Sequence, residues 1–419
     1  MQQSEIRKLT EADFPGFAHI AIQAFPANKE NTLEYKEKLA GNLLRTQQKS
    51  GNIEFYGLFR EGKLLGGMRL HSFELNLFGK IVPAGGVGLV AVDLLHKKEK
   101  VAKELIEFFI RHFKEKGMSV TLLYPFSPGF YKKMGYGYGT KMNQYQIKPG
   151  SFPGADSKEG LTMLTETDGN AIRECYNRFA KKTHGMILKT AYDIEKIFEN
   201  PENRVAGFFS GSELKGYIVF GFEQVDKKNF LRNHLVVREL IYETPKALSG
   251  LAVFLNTQAD QIERVIFNTQ DDALEYMLGD PANSSNHLIP SVFHETNTSG
   301  VGLMYRVSLP ENISTHFSGR HFNHVSTCFT MRIHDSFLLE EPSFVCLKLE
   351  DGMLGEGKEE EAEFEIELDG SDMSSLLMGA VNARKLYQFG RMKVSDPSYL
   401  GLIEKAFQTD PKPVCMTPF

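Results

Sequence analysis

Three stretches of this 419-residue chain carry residues whose types and spacing could do chemistry. The first is VGLVAVDLLHKKEKVAKELIEFF (residues 87–109), which reads as a strand, a basic turn and a helix. Lys97, Lys98 and Lys100 crowd the start of that helix, where each cation opposes the helix dipole by about 0.3–1 kcal/mol. The arrangement makes sense if an anion sits there. Free backbone N–H groups and neighbouring lysines would hold a pyrophosphate. The alternative is a solvated Lys/Glu surface turn. The second stretch is GFYKKMGYG (residues 129–137), which offers the Tyr131 phenol as a proton donor or as a packing aromatic whose hydroxyl finds a partner. The third is the tail, DPKPVCMTPF (residues 410–419). Its prolines make it extended, and its Val, Cys, Met and Phe predict that it is tucked into the fold rather than frayed.

Other candidates are weaker. His71, His184, His234 and His334 are scattered, and none stands beside a nucleophile-and-acid set. His321, His324 and Cys328 lack a fourth partner for a metal site. Structural roles are expected for all of them. The four cysteines, Cys175, Cys328, Cys346 and Cys415, form no Cys-x-x-Cys pair and read as reduced thiols of a cytoplasmic protein.

The elements that must position these residues fall into three parts, expected at 1–150, 151–300 and 301–419. In the first, 11–25 reads as a helix, from Phe14, Phe17, Ala18, Ala21 and Phe25 at helical spacing, and 35–47 as another. Residues 53–60 and 64–73 flank a Gly62 turn and read as a hairpin. Residues 87–92 are nearly all apolar, as in a strand buried on both faces. The amphipathic helix 101–116 has Gly117 at its C-terminal cap, and 120–123 is a further buried strand. The second part repeats the first: Gly57, Phe59, Leu64 and Gly66 match Gly207, Phe209, Leu214 and Gly216, each 150 residues on. The order strand (235–242), helix (246–261), strand (264–268) follows again, which indicates a duplicated domain. The second copy has one lysine and a proline at its equivalent turn, so the anion-binding character belongs to the first copy. The third part carries eleven acidic residues and one lysine over 350–372. Within it FEIEL (364–368) alternates as a strand with one wet face, and 374–379 and 399–407 read as helices.

Composition excludes several classes. With 48 basic and 53 acidic residues the net charge is −5, which argues against nucleic-acid binding. No apolar run is long enough to span a bilayer, and the first residues lack a signal-peptide core, so no membrane association is expected.

The hairpin, the buried strand, the basic turn and the long helix resemble the acetyl-CoA core of the GNAT N-acetyltransferases. With GFYKKMGYG, the duplication and the terminal part, nearly the whole chain resembles the enhanced intracellular survival (Eis) family. The resemblance implies an α+β fold: two tandem GNAT domains, the second degenerate, then a sterol-carrier-protein-like domain. It implies acetyl transfer from acetyl-CoA to a primary amine, some members acting on aminoglycosides at several positions, and a homo-oligomer (hexamer or trimer). By resemblance, the backbone of Val90, Ala91 and Val92 binds the cofactor's acyl arm, and Lys97, Lys98, Lys100 and Ala102 hold its pyrophosphate. One departure stands out. Lys100 occupies the place of a signature glycine, which hinders close approach of backbone to phosphate.

Thioester aminolysis needs a proton acceptor for the amine, donors for the developing oxyanion and a proton for the thiolate. The family match makes Tyr131 the acid and the α-carboxylate of Phe419 the base. The polyamine-like or aminoglycoside acceptors are cationic, and the 350–372 run can attract them or can simply be a solvated sheet face. Two rival functions remain open: acyl or aminoacyl transfer to a peptide, and apolar-ligand binding by a chain whose GNAT halves are inactive.

Overall fold

The structure, a computed structural model, describes residues 4–28, 31–154, 158–283, 285, 287–289, 292–308, 313–338, 341–410 and 412–419. Residues 1–3 and Pro411, used in the sequence reading, lie outside them. The chain forms two compact units. One comprises Met1–Gly139, Leu303–Pro413 and Thr417–Phe419, the other Thr140–Gly302 and Val414–Met416.

The first unit opens with β1 (Glu5–Lys8), α1 (Phe14–Ala24), α2 (Leu33–Lys49), β2 (Ile53–Arg60), β3 (Lys63–Leu77), β4 (Lys80–Val92), α3 (Val101–Glu115), β5 (Val120–Leu123), α4 (Pro128–Lys132) and β6 (Gly137–Tyr138). The sheet runs β1-β2-β3-β4-β5, then Met304–Val307, then β6. Only β4 and β5 are parallel. The stripe on α3 is what fixes this helix to the sheet: Leu105, Ile106, Phe109 and Phe113 are at most 1% exposed. Each such side chain contributes about 1.5–3 kcal/mol by leaving water. Gly117, at φ 75°, turns the chain out of the helix.

Two expectations change here. First, β4 begins at Lys80 rather than at residue 87, joined to β3 by a two-residue turn of Phe78 and Gly79, both at positive φ. Pro83 and three glycines disguise this strand in the sequence. They are tolerated because β5 pairs only with Ala84 to Val87, leaving Pro83 no missing bond. Second, residues 87–92 are not buried throughout. Val87 and Ala91 are, but Gly88, Leu89, Val90 and Val92 are partly open. The physical reason is that β5 leaves β4 after the Val87–Leu123 pair.

The rest of this unit carries a five-stranded sheet, in order Met353–Glu356, Ser343–Glu350, Thr327–His334, Phe364–Asp369 and Met392–Val394. Its helix Gly370–Leu377 is buried along its whole length. The Val307 N–H donates to Ser374 Oγ at 3.0 Å, and the Ser375 hydroxyl donates to the Tyr138 carbonyl at 2.9 Å. Arg320 is a second tie. It donates to the carbonyls of Leu376 (3.1 Å) and Phe407 (2.7 Å) and stacks near Phe78, on the β3–β4 turn, at 5.0 Å. Burial pushes its guanidinium down to about 9. Much of the acidic run is held in ion pairs. Glu365 binds Arg332 at 2.9 Å, Glu367 binds Lys393 at 2.9 Å and His334 at 3.1 Å, and Asp372 binds Arg391 and Lys132.

The second unit repeats the core order: strands Arg204–Ser210, Glu213–Asp226 and Asn229–Tyr242, helix Pro245–Asn256, strand Ile262–Thr269. The last strand is parallel to Asn229–Tyr242. Among the described residues no helix is long and apolar enough to cross a membrane.

Candidate active site

The site is built where β4 and β5 part. Past Val87, β4 carries a bulge: Gly67 pairs with Ala91 but Arg69 with Gly88, so two residues of β4 oppose Met68. Leu89 adopts φ 49°, in the left-handed region. A non-glycine residue held there is strained, and such strain clusters where function needs it. The bulge bends β4 away and leaves the backbone of Val90 and Val92 facing an open edge.

Beyond β4 the chain enters α3 through the basic turn. Lys98 and Lys100 both take positive φ, 67° and 65°, and Lys100 is the residue that caps α3. The backbone shape the signature glycine would give is therefore present at Lys100, at a cost of about 1–2 kcal/mol. Lys97, Lys98 and Lys100 are exposed, and among the described residues none of the three has an ion-pair partner. Together with the unpaired first amides of α3 they can bind an anionic group.

Tyr131 lies in α4, 3% exposed, among the rings of Phe126, Phe130 and Tyr136 at 5.4, 5.2 and 6.1 Å. It belongs to the same buried cluster as Val101, with Val90 and Val92 packed against that cluster. Burial pushes its phenol well above the usual range, so it stays protonated. Among the described residues nothing hydrogen-bonds its hydroxyl. Tyr136, five residues on, is different: its hydroxyl is buried and bonded to Thr121 at 3.1 Å.

Phe419 arrives from the other side. Its ring contacts Phe73 at 4.8 Å, Tyr124 at 5.1 Å and His71 at 5.5 Å. The Tyr124 hydroxyl donates to the Thr417 carbonyl at 3.1 Å, pinning the tail two residues earlier. A Cβ built on Gly86 would lie 3.1 Å from the Phe419 ring, and one on Gly88 would lie 3.3 Å from its terminal oxygen. A side chain at Gly86 would strike the Phe73 ring first, at 2.3 Å, and one at Gly88 would press on Arg69 and on the Phe419 terminus. Ala102 sits in the first turn of α3, and Ala91, 1% exposed, lies under the open edge.

The sequence reading missed Arg69, Tyr124 and the paired glycines. Their signal was present as large residues alternating on β3 opposite small ones on β4, but it is visible only once the strand register is known. His71 is buried and stacked on Phe73 at 5.2 Å. Burial, then the Arg69 charge, hold its imidazole well below the usual range. His321 and His324 touch each other at 4.3 Å, and among the described residues no group of three or more His, Cys, Asp or Glu could hold a metal. A separate cavity of about 340 Å³ beside α4, lined in part by Lys132, Asp335, Asp369 and Arg391, has these four side chains already in ion pairs.

Comparison with known proteins agrees with this architecture. Residues 5–139 match an acetyltransferase (GNAT) domain family, residues 185–307 a second acetyltransferase (GNAT) domain family, and residues 314–416 the sterol carrier protein domain. The chain belongs to the GNAT acyltransferases, as a tandem-GNAT enzyme with a sterol-carrier-like third part. Within that class its relatives are the proteins named N-acetyltransferase Eis. Those of Mycobacterium tuberculosis and Mycobacterium bovis are 23% identical over 362 residues, covering 82% of this chain and 83% of theirs. The crystal structure of Eis1 from Mycobacterium abscessus superposes over 100% of both chains at a TM-score of 0.75 and 16% identity. That of a GCN5-related N-acetyltransferase from Anabaena variabilis does so over 100% of both at 0.81 and 17%.

Proposed function

We propose that the first GNAT domain transfers the acetyl group of acetyl-CoA to a primary amine of a small cationic molecule, such as an aminoglycoside or polyamine. In this reading the Phe419 carboxylate is the base and Tyr131 the acid. The observation that carries it is the placement of the Phe419 terminal oxygen over Gly88, where β4 and β5 part. The same parting, the strained turn at Lys98 and Lys100 and the open amides of α3 are of a shape and charge that fit acetyl-CoA. Val90, Ala91 and Val92 would hold its acyl arm, and Lys97, Lys98, Lys100 and the first turn at Ala102 its pyrophosphate.

When bound, acetyl-CoA supplies an activated acyl thioester. The chain's own residues do the rest. The Phe419 carboxylate attracts the ammonium form of the acceptor and accepts a proton from it, directly or through water. An α-carboxyl has a pKa of about 3.3–3.7, so its strength here is placement rather than basicity. Backbone N–H groups at the open edge of β4 are fixed donors for charge that develops on the acyl oxygen. The Tyr131 hydroxyl, kept protonated by burial, holds a proton for the departing sulfur.

The reading extends to a cytoplasmic enzyme, supported by four free cysteines. It also extends to a homo-oligomer, supported by the start of strand Asn229–Tyr242, which leaves Phe230 78% and Leu231 68% exposed. The test is thiol release from acetyl-CoA across a panel of aminoglycosides, polyamines and lysine peptides, with and without a few residues added after Phe419. Release with some amines, abolished by the extension in a protein that still melts normally, is the expected result. Undiminished turnover by the extended chain overturns the base assignment.

A further inference from the structure

β3 and β4 pair with Phe73 opposite Ala84, His71 opposite Gly86 and Arg69 opposite Gly88. Alternate strand residues share a face. Three large side chains of β3 therefore line up beside three small positions of β4, and the small positions leave a channel. At Gly86 the Phe73 ring fills it, 2.3 Å from where a Cβ would lie, with the Phe419 ring beside it at 3.1 Å, edge-on to both Phe73 and His71. At the next small position a Cβ on Gly88 would lie 3.1 Å from Arg69 Nη2 and 3.3 Å from the Phe419 terminal oxygen. The guanidinium and the terminal oxygen thus border the same space, which no side chain of β4 occupies.

We propose that Arg69 is a positioning residue, whose guanidinium holds the Phe419 carboxylate over Gly88 at the parting of β4 and β5. The proposal rests on the reading of Phe419 as the base. The aromatic contacts fix where the ring lies but leave the carboxylate free to rotate about the last bonds of the chain. A planar guanidinium offers a carboxylate two parallel donors, so it selects one orientation. The titratable side chains described around Phe419 are Arg69 and His71 on β3 and Tyr124 after β5. His71 is neutral and the Tyr124 hydroxyl is engaged with Thr417, which leaves Arg69 as the cation. Once engaged, a guanidinium also keeps the carboxylate ionised, ready to meet an ammonium.

The experiment uses the full chain labelled with [1-13C]phenylalanine, in which only the terminal residue carries an ionisable carboxyl. In Arg69→Gln its titration midpoint should rise by about 1–3 units. Turnover should fall at least tenfold at an unchanged KM for acetyl-CoA, and Arg69→Lys should recover most of the midpoint. Should Arg69→Gln not fold, Gly88→Ala supplies the second variant. Its methyl group enters the shared space, so the terminal resonance should move and turnover should fall with Arg69 intact. A midpoint unmoved in Arg69→Gln, or a terminal resonance unmoved in Gly88→Ala, overturns the clamp. A wild-type chain that acetylates no amine would instead count against the proposed function, and the titration would still decide the role of Arg69.

Discussion

Replacing Phe419 by Ala separates the anchor from the proposed base, since the terminal carboxylate stays and the ring goes. The ring makes three aromatic contacts, to Phe73, Tyr124 and His71. Such pairs contribute about 0.5–1.5 kcal/mol each beyond burial. Phe→Ala costs about 3–5 kcal/mol in a closed core, but Phe419 is only half-buried, so a total near 2–3 kcal/mol is the reasonable sum. At 1.4 kcal/mol per factor of ten, the ratio of seated to unseated termini falls about 30- to 150-fold. Turnover follows the seated fraction and drops by up to that factor. The KM for acetyl-CoA should not change, because the ring lies over Gly86 and the cofactor's phosphates are assigned to the start of α3. The assay is thiol release at saturating acetyl-CoA, with calorimetry for cofactor affinity and a melting curve for folding. A variant that keeps more than a third of wild-type turnover would refute the anchoring argument.

The remaining predictions concern single residues. Tyr131→Phe should lower turnover about 100-fold, as loss of a general acid does, with acetyl-CoA affinity and melting temperature little changed because the ring stays buried; an unchanged rate would remove Tyr131 from the mechanism. Lys100→Gly relieves a left-handed lysine and should stabilise the fold by about 1 kcal/mol, read as a higher urea midpoint; a lower midpoint would contradict the strain argument. For His71 the sign follows from its depressed pKa. Below the ordinary value of 6.5 the unfolded chain binds a proton that the folded chain does not. Stability is therefore full above that value and falls as pH drops through it, by up to about 1.4 kcal/mol per unit. Urea titrations at pH 7.5 and 5.5 should show a smaller loss in His71→Phe than in the wild-type chain, and equal losses would show that His71 is not held neutral.

Much of the architecture was legible because it rests on local rules. The stripe of Leu105, Ile106, Phe109 and Phe113 announces α3, and the alternation of 364–368 announces a half-wet strand found at Phe364–Asp369. The first half of β4 was hidden, since Pro83, Gly85 and Gly86 are poor strand formers and their tolerance depends on which neighbour pairs there. The candidate site was legible only in part. Lys97, Lys98 and Lys100 stand out by their cost to the helix, whereas Arg69, Gly86 and Gly88 gain meaning from Phe419, whose ring lies by Gly86 and whose terminal oxygen lies by Gly88, more than three hundred residues away in the sequence. Contacts of that separation leave no periodicity for a local pattern to reveal.

The second copy fills the place that the first copy leaves open. Val87 is the last residue of β4 paired with its parallel partner, at Leu123, and Val237 is the last of its strand paired at Phe267. The two lie at the same 150-residue offset as the matched glycines, so the strands separate at corresponding points in both copies. What stands beyond that point differs. At the offset of strained Leu89 the second copy has Glu239, whose buried carboxylate is taken up by the Lys189 ammonium and the Tyr217 hydroxyl. A buried pair of this kind is costly to break, so the space is filled rather than available. At the helix start, Thr244 Oγ accepts from the Ala247 N–H at 3.2 Å and Pro245 removes another donor. The amides that a phosphate would use are therefore spent on capping. Duplication preserved the parting because sheet and helix packing require it. In the proposed reading the chemistry depends on what is left unsatisfied there: in the first copy an open strand edge, uncapped amides and, among the described residues, lysines without ion-pair partners, which acetyl-CoA would complete.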